Sequence, residues 1–193
     1  DLSIDAYDAT TKDLLMNRQL PQITGFSSIT SNLGELGNRG LEISINTVNI
    51  KSQNINWRSG VVFSMNRNKI RELWGNYGNY TLLGNTSYGE LPDFTNKWFP
   101  GQARDVVWDY DVTGIWQLGE ETAAAVYKEQ PGDWKAVDVN EDGKYLQLDD
   151  KKFIGYTDPR YRIGIKNEVT FLKNFSASLF IRADLGHLRK MAF

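Results

Sequence analysis

The sequence contains no cysteine, a single histidine and no long apolar run, and each absence excludes a class of protein. Without cysteine there can be no disulfide scaffold and no thiolate metal site, and one histidine, His187, is too few for clustered zinc ligands. A Ser-His-Asp hydrolase would need His187 as its general base, and a lone histidine in a polar run is far more often a surface residue. No stretch of about 18 apolar residues exists, so the sequence predicts no transmembrane helix.

An excess of positive charge is also lacking. The chain carries 22 Lys and Arg against 24 Asp and Glu, for a net charge of −2, and the basic residues are scattered along it. Nucleic-acid surfaces require a basic patch, so we exclude a nucleic-acid partner. The remaining composition, 40% apolar and 24% charged, is ordinary for an ordered protein.

Strict alternation of apolar and polar residues between Asn38 and Ile70 predicts one long antiparallel hairpin. Its two strands are joined by the short polar connector Lys51–Asn54. The apolar positions of the hairpin are Leu41, Ile43, Ile45, Ile55, Trp57, Val61, Phe63 and Met65. Similar alternation before and after this hairpin predicts three further strands, with a tight turn at Lys173-Asn174 between the last two.

The five predicted strands lie near residues 1–7, 39–50, 54–70, 160–172 and 175–184. The connections between them alternate between short and long, with long ones at 8–37 and 71–159, and we expect one short helix within 119–129. In an antiparallel sheet this puts both short turns at one end and both long loops at the other. That asymmetry is typical of outer-membrane β-barrels. The chain starts at Asp1 inside a predicted strand and ends at Phe193 without a closing strand, so we expect it to be a fragment.

Two fold interpretations remain open from the pattern alone. A transmembrane barrel would cover the apolar face of the five strands with lipid. A soluble β-sandwich would cover it with a second sheet, which the polar, glycine-rich loops are poorly suited to build. The alternative function is therefore a soluble, calcium-ordered β-sandwich module that binds carbohydrate.

Several separate strings of the sequence resemble, in order, the carboxy-terminal barrel of the SusC/RagA family of TonB-dependent outer-membrane receptors. They cover nearly the whole chain, and their shared order makes the resemblance specific. The strings are TKDLL (11–15), TGFSSITSNLGELGNRGLEISIN (24–46), FSMNRNKI (63–70), GIWQLGEE (114–121), QPGDWKAVDVNEDG (130–143) and FIGYTDPRYRIGIKNEVTFLKNFSASLFI (153–181).

The resemblance implies an all-β, antiparallel fold in which this chain forms about five strands of a transmembrane barrel of about 22 strands, with long extracellular loops. It implies TonB-dependent import of oligosaccharides or peptides across the outer membrane of a Gram-negative bacterium, without enzymatic chemistry. The implied partners are a SusD-like surface lipoprotein, outer-membrane lipid, and TonB acting through an N-terminal plug domain. No plug domain or TonB box is found in this sequence.

The segment Asp138–Asp149, DVNEDGKYLQLD, has the spacing of a calcium-binding loop. Oxygen-bearing side chains stand at the first, third, fifth and twelfth positions, and a glycine that permits a sharp turn stands at the sixth. The predicted calcium ligands are Asp138, Asn140, Asp142, the backbone carbonyl of Lys144, and Asp149. The competing interpretation is an Asp- and Asn-rich turn that hydrogen-bonds its own backbone.

Aromatic residues are concentrated in the second long loop, at the end where a substrate or lipoprotein would arrive. Sugar rings stack on such side chains, so we predict substrate-facing or partner-facing roles for five of them. These are Trp98, Trp108, Tyr110, Trp116 and Trp134. The competing interpretation is that most of them form the loop's own core.

Overall fold

A computed structural model of the chain has one five-stranded antiparallel sheet and a set of short hairpins in the long connections. It describes residues 1–19, 23, 25, 27–32, 34–172 and 174–189. In chain order the elements are β1 (Leu2–Lys12), β2 (Leu15–Gln19), β3 (Ser28–Asn32), β4 (Glu35–Lys51), β5 (Ile55–Glu72), β6 (Tyr77–Leu82), β7 (Asn85–Glu90), β8 (Val106–Tyr110), β9 (Val112–Ile115), α1 (Glu121–Val126), β10 (Trp134–Ala136), α2 (Gln147–Asp150), β11 (Lys151–Tyr156), β12 (Tyr161–Phe171) and β13 (Phe175–Leu185).

The main sheet has the strand order β1-β4-β5-β12-β13, which confirms the antiparallel fold expected from the sequence. Two of its strands are clearly longer than expected, since β1 continues to Lys12 and β4 begins at Glu35. Between β4 and β5 the turn is closed by Ser52, whose backbone N–H donates to the carbonyl of Ile55 over 2.8 Å. The expected turn at Lys173-Asn174 includes Lys173, which lies outside the described residues. Both short turns lie at one end of the sheet, and both long connections leave from the other.

The pairing registers of the main sheet align apolar residues into continuous rows on one face. In the clearest row, Ile4 faces Ile43, Ile43 faces Phe63, Phe63 faces Ile163, and Ile163 faces Ala183. Since neighbouring residues of a strand point to opposite sides, the intervening rows are polar. We call these sides the apolar face and the polar face. The adjacent apolar rows are Leu2, Ile45, Val61, Ile165 and Ile181, and Ala6, Leu41, Met65, Tyr161 and Leu185; one polar row is Asp5, Glu42, Ser64, Arg162 and Asp184.

The apolar face is long enough to form the apolar band of a membrane barrel at the strand tilt of such barrels. It runs along β12 from Tyr161 to Phe171, 11 residues that span about 33 Å at about 3.3 Å per residue. At the strand tilt of about 40° found in membrane barrels, this corresponds to a band of about 25 Å. Three polar side chains of this band are hydrogen-bonded to one another: Trp57 Nε1 and Ser59 Oγ both donate to Asn167 Oδ1, over 3.2 and 2.6 Å.

No second sheet packs against the apolar face within the described residues. Leu2 is 65% exposed, Ile4 60% and Ile181 52%, values that are high for apolar side chains in aligned rows. The small hairpins of the long connections form separate two-stranded sheets beyond the end of the strands. The chain therefore does not supply the covering sheet that a β-sandwich would need.

The second long connection, expected to be irregular with one helix, holds six short strands and two helices. The strands pair as β6 with β7, β8 with β11 and β9 with β10. The expected helix is α1, and the four-residue helix α2 was not anticipated. The core of this region is formed by Phe99, Val106 and Trp108, with Leu82, Phe94, Phe153 and Tyr156 packed around them.

Among the described residues, no helix has the length and apolar character needed to cross a membrane.

Candidate functional site

Two of the five predicted loop aromatics are core residues. Trp108, on β8, is fully buried, with its ring 5.1 Å from that of Phe99. Trp116, just after β9, is 4% exposed and packs against Tyr127, with ring centroids 5.8 Å apart. Neither ring can meet a ligand while the loop is folded. At these two positions the structure agrees with the competing interpretation, in which the aromatic side chains form the loop's own core.

Trp98 lies apart from the other predicted aromatics. Its backbone forms a bridge with Asp93, with N···O distances of 2.9 Å in both directions. Its ring is tilted against that of Trp74, with centroids 6.3 Å apart. Trp98 is half-buried in this contact and belongs to the turn that follows β7.

Tyr110 and Trp134 come together at the edge of the loop region. Their ring centroids are 5.0 Å apart, and Trp134 also stacks on Tyr145 at 4.9 Å. Tyr145 is held in place by its hydroxyl, which donates to the carbonyl of Ala136 and accepts from the N–H of the same residue. On its other side Tyr145 stacks on Tyr127 at 4.5 Å. The result is a rigid aromatic stack whose outer member, Trp134, is 37% exposed.

The stack forms one wall of an open groove of about 780 Å³. We call it the aromatic groove, lined by Asp109, Tyr110, Asp111, Trp134, Ile154 and Arg189. Flat rings beside carboxylates and a guanidinium suit a ligand that offers both an apolar surface and hydrogen-bonding groups, such as a sugar ring or a peptide side chain. Sequence reasoning found the two aromatic residues and missed the charged ones.

Neighbouring groups hold one carboxylate of the aromatic groove, that of Asp109, in its ionised form. Burial raises the pKa of Asp109, but Lys151 at 3.2 Å, the Tyr110 N–H and Lys97 at 3.7 Å outweigh it and hold that pKa below its ordinary value. Burial and the negative charges of Asp150 and Asp109 raise the pKa of Tyr110. At neutral pH the groove therefore presents a charged carboxylate beside a protonated hydroxyl.

The predicted calcium loop is folded around its own backbone hydrogen bonds. The carboxylate of Asp138 accepts from the N–H groups of Gly143 at 2.8 Å and Asp142 at 3.3 Å. Asn140 Oδ1 also accepts from the Asp142 N–H at 3.3 Å, and Asp142 Oδ1 accepts from the Lys144 N–H at 2.9 Å. Gly143 has φ of +76°, which favours glycine, in agreement with its expected role in the turn.

Asp150, which sequence reasoning missed, closes this loop. It is fully buried, and its two oxygens accept from the N–H groups of Val139 at 2.8 Å and Leu146 at 2.7 Å. Asp149, the predicted twelfth-position ligand, lies in α2 and is half-buried. Within the described residues, no group of three or more His, Cys, Asp or Glu side chains is arranged to hold a metal ion. Calcium binding therefore stays a prediction.

Comparison with known proteins finds similarity to one kind of membrane receptor. The chain is 34% identical over 189 residues to the TonB-dependent receptor P3 of Formosa agariphila, covering 96% of this chain and 18% of that protein. It is 30% identical over 186 residues to the TonB-dependent receptor P26 of the same organism, again covering 18% of it. It is 37% identical over 73 residues to the TonB-dependent receptor SusC of Bacteroides thetaiotaomicron, covering 37% of this chain and 7% of that protein. The chain thus spans about a fifth of the length of the curated relatives that it matches over most of its length. No family model matches it.

Solved structures give the same fold. The RagAB peptide transporter superposes with a TM-score of 0.63 at 19% identity, covering 96% of this chain and 19% of that one. The RagAB peptide importer in its open-open state superposes with a TM-score of 0.67 at 21% identity, covering 96% and 18%. At these identities the likeness supports the barrel fold of the five strands and carries no statement about the substrate.

Proposed function

Because the chain belongs to the SusC/RagA family of TonB-dependent receptors, we propose that it forms five neighbouring strands and two outer loops of an outer-membrane importer. The observation that carries the proposal is the uncovered apolar face of about 25 Å, opposite a face lined by charges of both signs. Lipid would cover the first face, and the second would line the aqueous interior of the barrel. The short turns would lie on the periplasmic side and the long loops outside the cell.

Import would depend on partners beyond this chain. TonB would supply energy through a plug domain, and a SusD-like lipoprotein would cover the outer loops. Relatives of this chain are receptors by name, and the proposal contains no bond-breaking step. The role of the strands is to form a rigid wall, and the role of the loops is to present the aromatic groove to an incoming oligosaccharide or peptide.

The aromatic groove supports a substrate-contacting role for Tyr110 and Trp134. Their rings are fixed by Tyr145 and by the Tyr110 hydroxyl, which donates to the Tyr145 carbonyl at 3.3 Å. Fixed rings lose little entropy on binding a flat ligand surface, which favours recognition. Trp98, Trp108 and Trp116 pack within the loop region and are not part of the proposed groove.

Labelling of single cysteines tests the placement of the strands; these 193 residues contain no cysteine, and any cysteine elsewhere in the full-length protein is first replaced by serine. The full-length natural protein would carry Glu42→Cys or, as its matched neighbour on the opposite face, Ile43→Cys. We expect a membrane-impermeant maleimide to label position 42 and a lipid-phase photoprobe to label position 43. Equal maleimide labelling at both positions, together with a folded protein that needs no detergent, would instead favour the soluble carbohydrate-binding module.

Calcium binding to the loop 138–149 is a separate proposal, supported by the alternating oxygen ligands Asp138, Asn140 and Asp142. Asp142→Asn keeps an oxygen that can accept from the Lys144 N–H, and it removes one of the negative charges that would balance a calcium ion. We expect calcium to release heat on titration into the natural protein and to raise its melting temperature, and the variant to bind calcium more weakly, with a smaller rise, without changing its metal-free melting temperature. No heat with the natural protein would leave the loop as a hydrogen-bonded turn.

A further inference from the structure

On the apolar face, just beyond the outer end of the apolar band, the rows of side chains become basic. The row after Met65 and Tyr161 contains Arg39 opposite Arg67, and the next contains Gly37 opposite Lys69. These residues line an open groove of about 730 Å³. We call it the basic groove, formed by Gly37, Arg39, Arg67, Lys69, Arg71 and Arg160.

The basic groove holds more positive charge than its own carboxylates balance. Arg39 pairs with Asp8 at 2.9 Å, and Arg71 pairs with Asp8 at 3.7 Å and with Glu35 at 3.2 Å. Arg160 pairs with the buried Asp105 at 3.7 Å. The five cationic side chains of the basic groove are thus balanced by only three carboxylates, those of Asp8, Glu35 and Asp105.

Arg67 and Lys69 have no carboxylate partner within the part of the chain that the structure describes. Like charges directly opposite each other in a sheet are destabilising, and Arg67 lies opposite Arg39, whose charge Asp8 balances only in part because Asp8 also pairs with Arg71. An anion between them would remove that cost. The unpaired charge therefore points to a ligand of negative charge.

The geometry of the groove favours a phosphate group. Arg67 is held by its Nη1, which donates to the carbonyl of Arg160 at 2.7 Å, and its guanidinium lies 4.7 Å from the ring centroid of Tyr161. Its other donors remain to bind a ligand, and a guanidinium presents pairs of N–H groups that match phosphate oxygens. Gly37 lets the Arg71 guanidinium lie against the floor of the groove, because a Cβ at position 37 would lie 2.6 Å from Arg71 Nε.

We propose that the basic groove binds the phosphate of a lipid headgroup at the outer surface of the membrane. This rests on the proposed function, which makes the apolar face the lipid-facing side. One row beyond Met65 and Tyr161 is about 7 Å farther along the strands, which is the level where headgroups follow the acyl chains. Arg67 and Lys69 follow Met65 at alternate positions of β5, so they lie on the side of the sheet that carries the apolar band, which is the side that lipid would reach.

Lipid titration tests the proposal. Detergent-purified, full-length natural protein is titrated with dioctanoyl phosphatidic acid, dioctanoyl phosphatidylcholine and inorganic phosphate, with binding read by native mass spectrometry. We expect phosphatidic acid to bind about tenfold more tightly than either comparison ligand, because its phosphomonoester and acyl chains meet the basic groove and the apolar band together. The double variant Arg67→Gln/Lys69→Gln should weaken that binding by roughly 25-fold, at roughly fivefold for each cation.

The matched control is Lys51→Gln/Arg58→Gln, which removes the same two charge types at the short-turn end of the same strands. It should leave phosphatidic acid binding unchanged. Equal binding of phosphatidylcholine, equal binding of inorganic phosphate, or no effect of Arg67→Gln/Lys69→Gln would each overturn the proposal. Lipid-phase labelling of Phe63→Cys in the same preparation separates the causes: labelling without phosphate preference removes only this inference, whereas no labelling removes the proposed function as well.

Discussion

At the scale of single residues, the buried carboxylate of Asp150 stabilises the folded conformation of the loop 138–149. Each of its oxygens accepts one backbone N–H, from the two ends of the loop 138–149. Asp150→Asn keeps one acceptor oxygen and turns an N–H₂ toward the other donor. Hydrogen bonds to a charged group contribute about 1.5–3 kcal/mol, and an unsatisfied buried donor adds to the loss. We expect Asp150→Asn to cost about 2–4 kcal/mol of local stability, measured by hydrogen exchange of the loop amides.

Asp149→Asn is the control for that measurement, because it changes the adjacent carboxylate to the same amide. Asp149 is half-buried, and the loop amides of Val139 and Leu146 do not bond to it. Its substitution should change protection by less than about 0.5 kcal/mol. Equal losses of amide protection in Asp149→Asn and Asp150→Asn would mean that the stability of the loop depends on its total negative charge and not on the hydrogen bonds of Asp150. A bound cation would produce such a dependence.

Replacement by alanine should have different consequences at Trp108 and at Trp134. Trp108 is fully buried among Phe94, Phe99 and Val106, so Trp108→Ala should cost about 3–5 kcal/mol of loop stability, read by hydrogen exchange of β8 and β11. Trp134 is 37% exposed in the aromatic groove, so Trp134→Ala should weaken ligand uptake with a much smaller loss of protection. A Trp134→Ala variant that takes up ligand normally would remove this residue from the proposed site.

The sequence identifies residue types more readily than their partners. The spacing of Asp138, Asn140, Asp142 and Gly143 predicts a tight, oxygen-rich turn, and the structure has one. The same spacing identifies Asp149 as the twelfth-position ligand. In the folded loop, however, the buried carboxylate that accepts the loop's backbone N–H groups is that of Asp150. Likewise, five loop aromatics are equivalent in the sequence, and only packing separates Trp108 and Trp116 from Tyr110 and Trp134.

At the scale of elements, the Glu120 carboxylate links the start of α1 to the β9–β10 hairpin. Hydrogen bonding from the backbone N–H of Gln117, and then Lys135 at 2.9 Å, hold the pKa of Glu120 below its ordinary value. A depressed carboxyl pKa stabilises the fold above the unfolded value of about 4.3 and loses that effect as pH falls through the folded pKa. We expect protection of the amides of 114–136 to fall as the pH drops below that unfolded value, ahead of the main sheet.

Glu120→Gln supplies the comparison for the acid sensitivity of this hairpin. It retains an oxygen for the Gln117 N–H and cannot titrate, so its protection should be lower at neutral pH and flat through the acid range. A variant that still loses protection with the same pH profile would assign the transition to other carboxyls of the outer loops.

Long strands and short strands differ in how far the sequence predicts them. The main strands of the sheet have 11 to 18 residues, long enough for alternation to stand out from chance. In the second long connection β9 has four residues and β10 has three, so a period of two is hardly visible. Their ladder is extended by one further backbone hydrogen bond, from the Trp116 N–H to the Asp133 carbonyl at 2.9 Å, and Lys135 of β10 pairs with Glu120 at 2.9 Å. The sequence accordingly predicts the five-stranded sheet and does not predict the short strands of the loops.

At the scale of the whole molecule, we expect arginine to impair folding into lipid when it is placed on the apolar face of the sheet, and not when it is placed at the neighbouring position on the polar face. Val61 lies in the middle of the apolar band, between Ile45 and Ile165, and Val62 lies on the polar face between Ser44 and Gly164. Arginine at the lipid midplane of a barrel costs about 2–4 kcal/mol, whereas a water-filled interior accepts it at little cost. Val61→Arg should therefore reduce folding into lipid vesicles, and Val62→Arg should not.

The measurement is the midpoint of denaturant-induced unfolding of the full-length natural protein in lipid vesicles, with both variants compared under the same conditions. The pair has the same starting residue, the same strand and the same added charge, so only the face differs. Two equal and small losses would mean that water reaches both faces, as in a soluble sandwich. Two equal and large losses would mean that Val62 is covered by protein, and that the polar face is packed against another part of the receptor instead of lining open water.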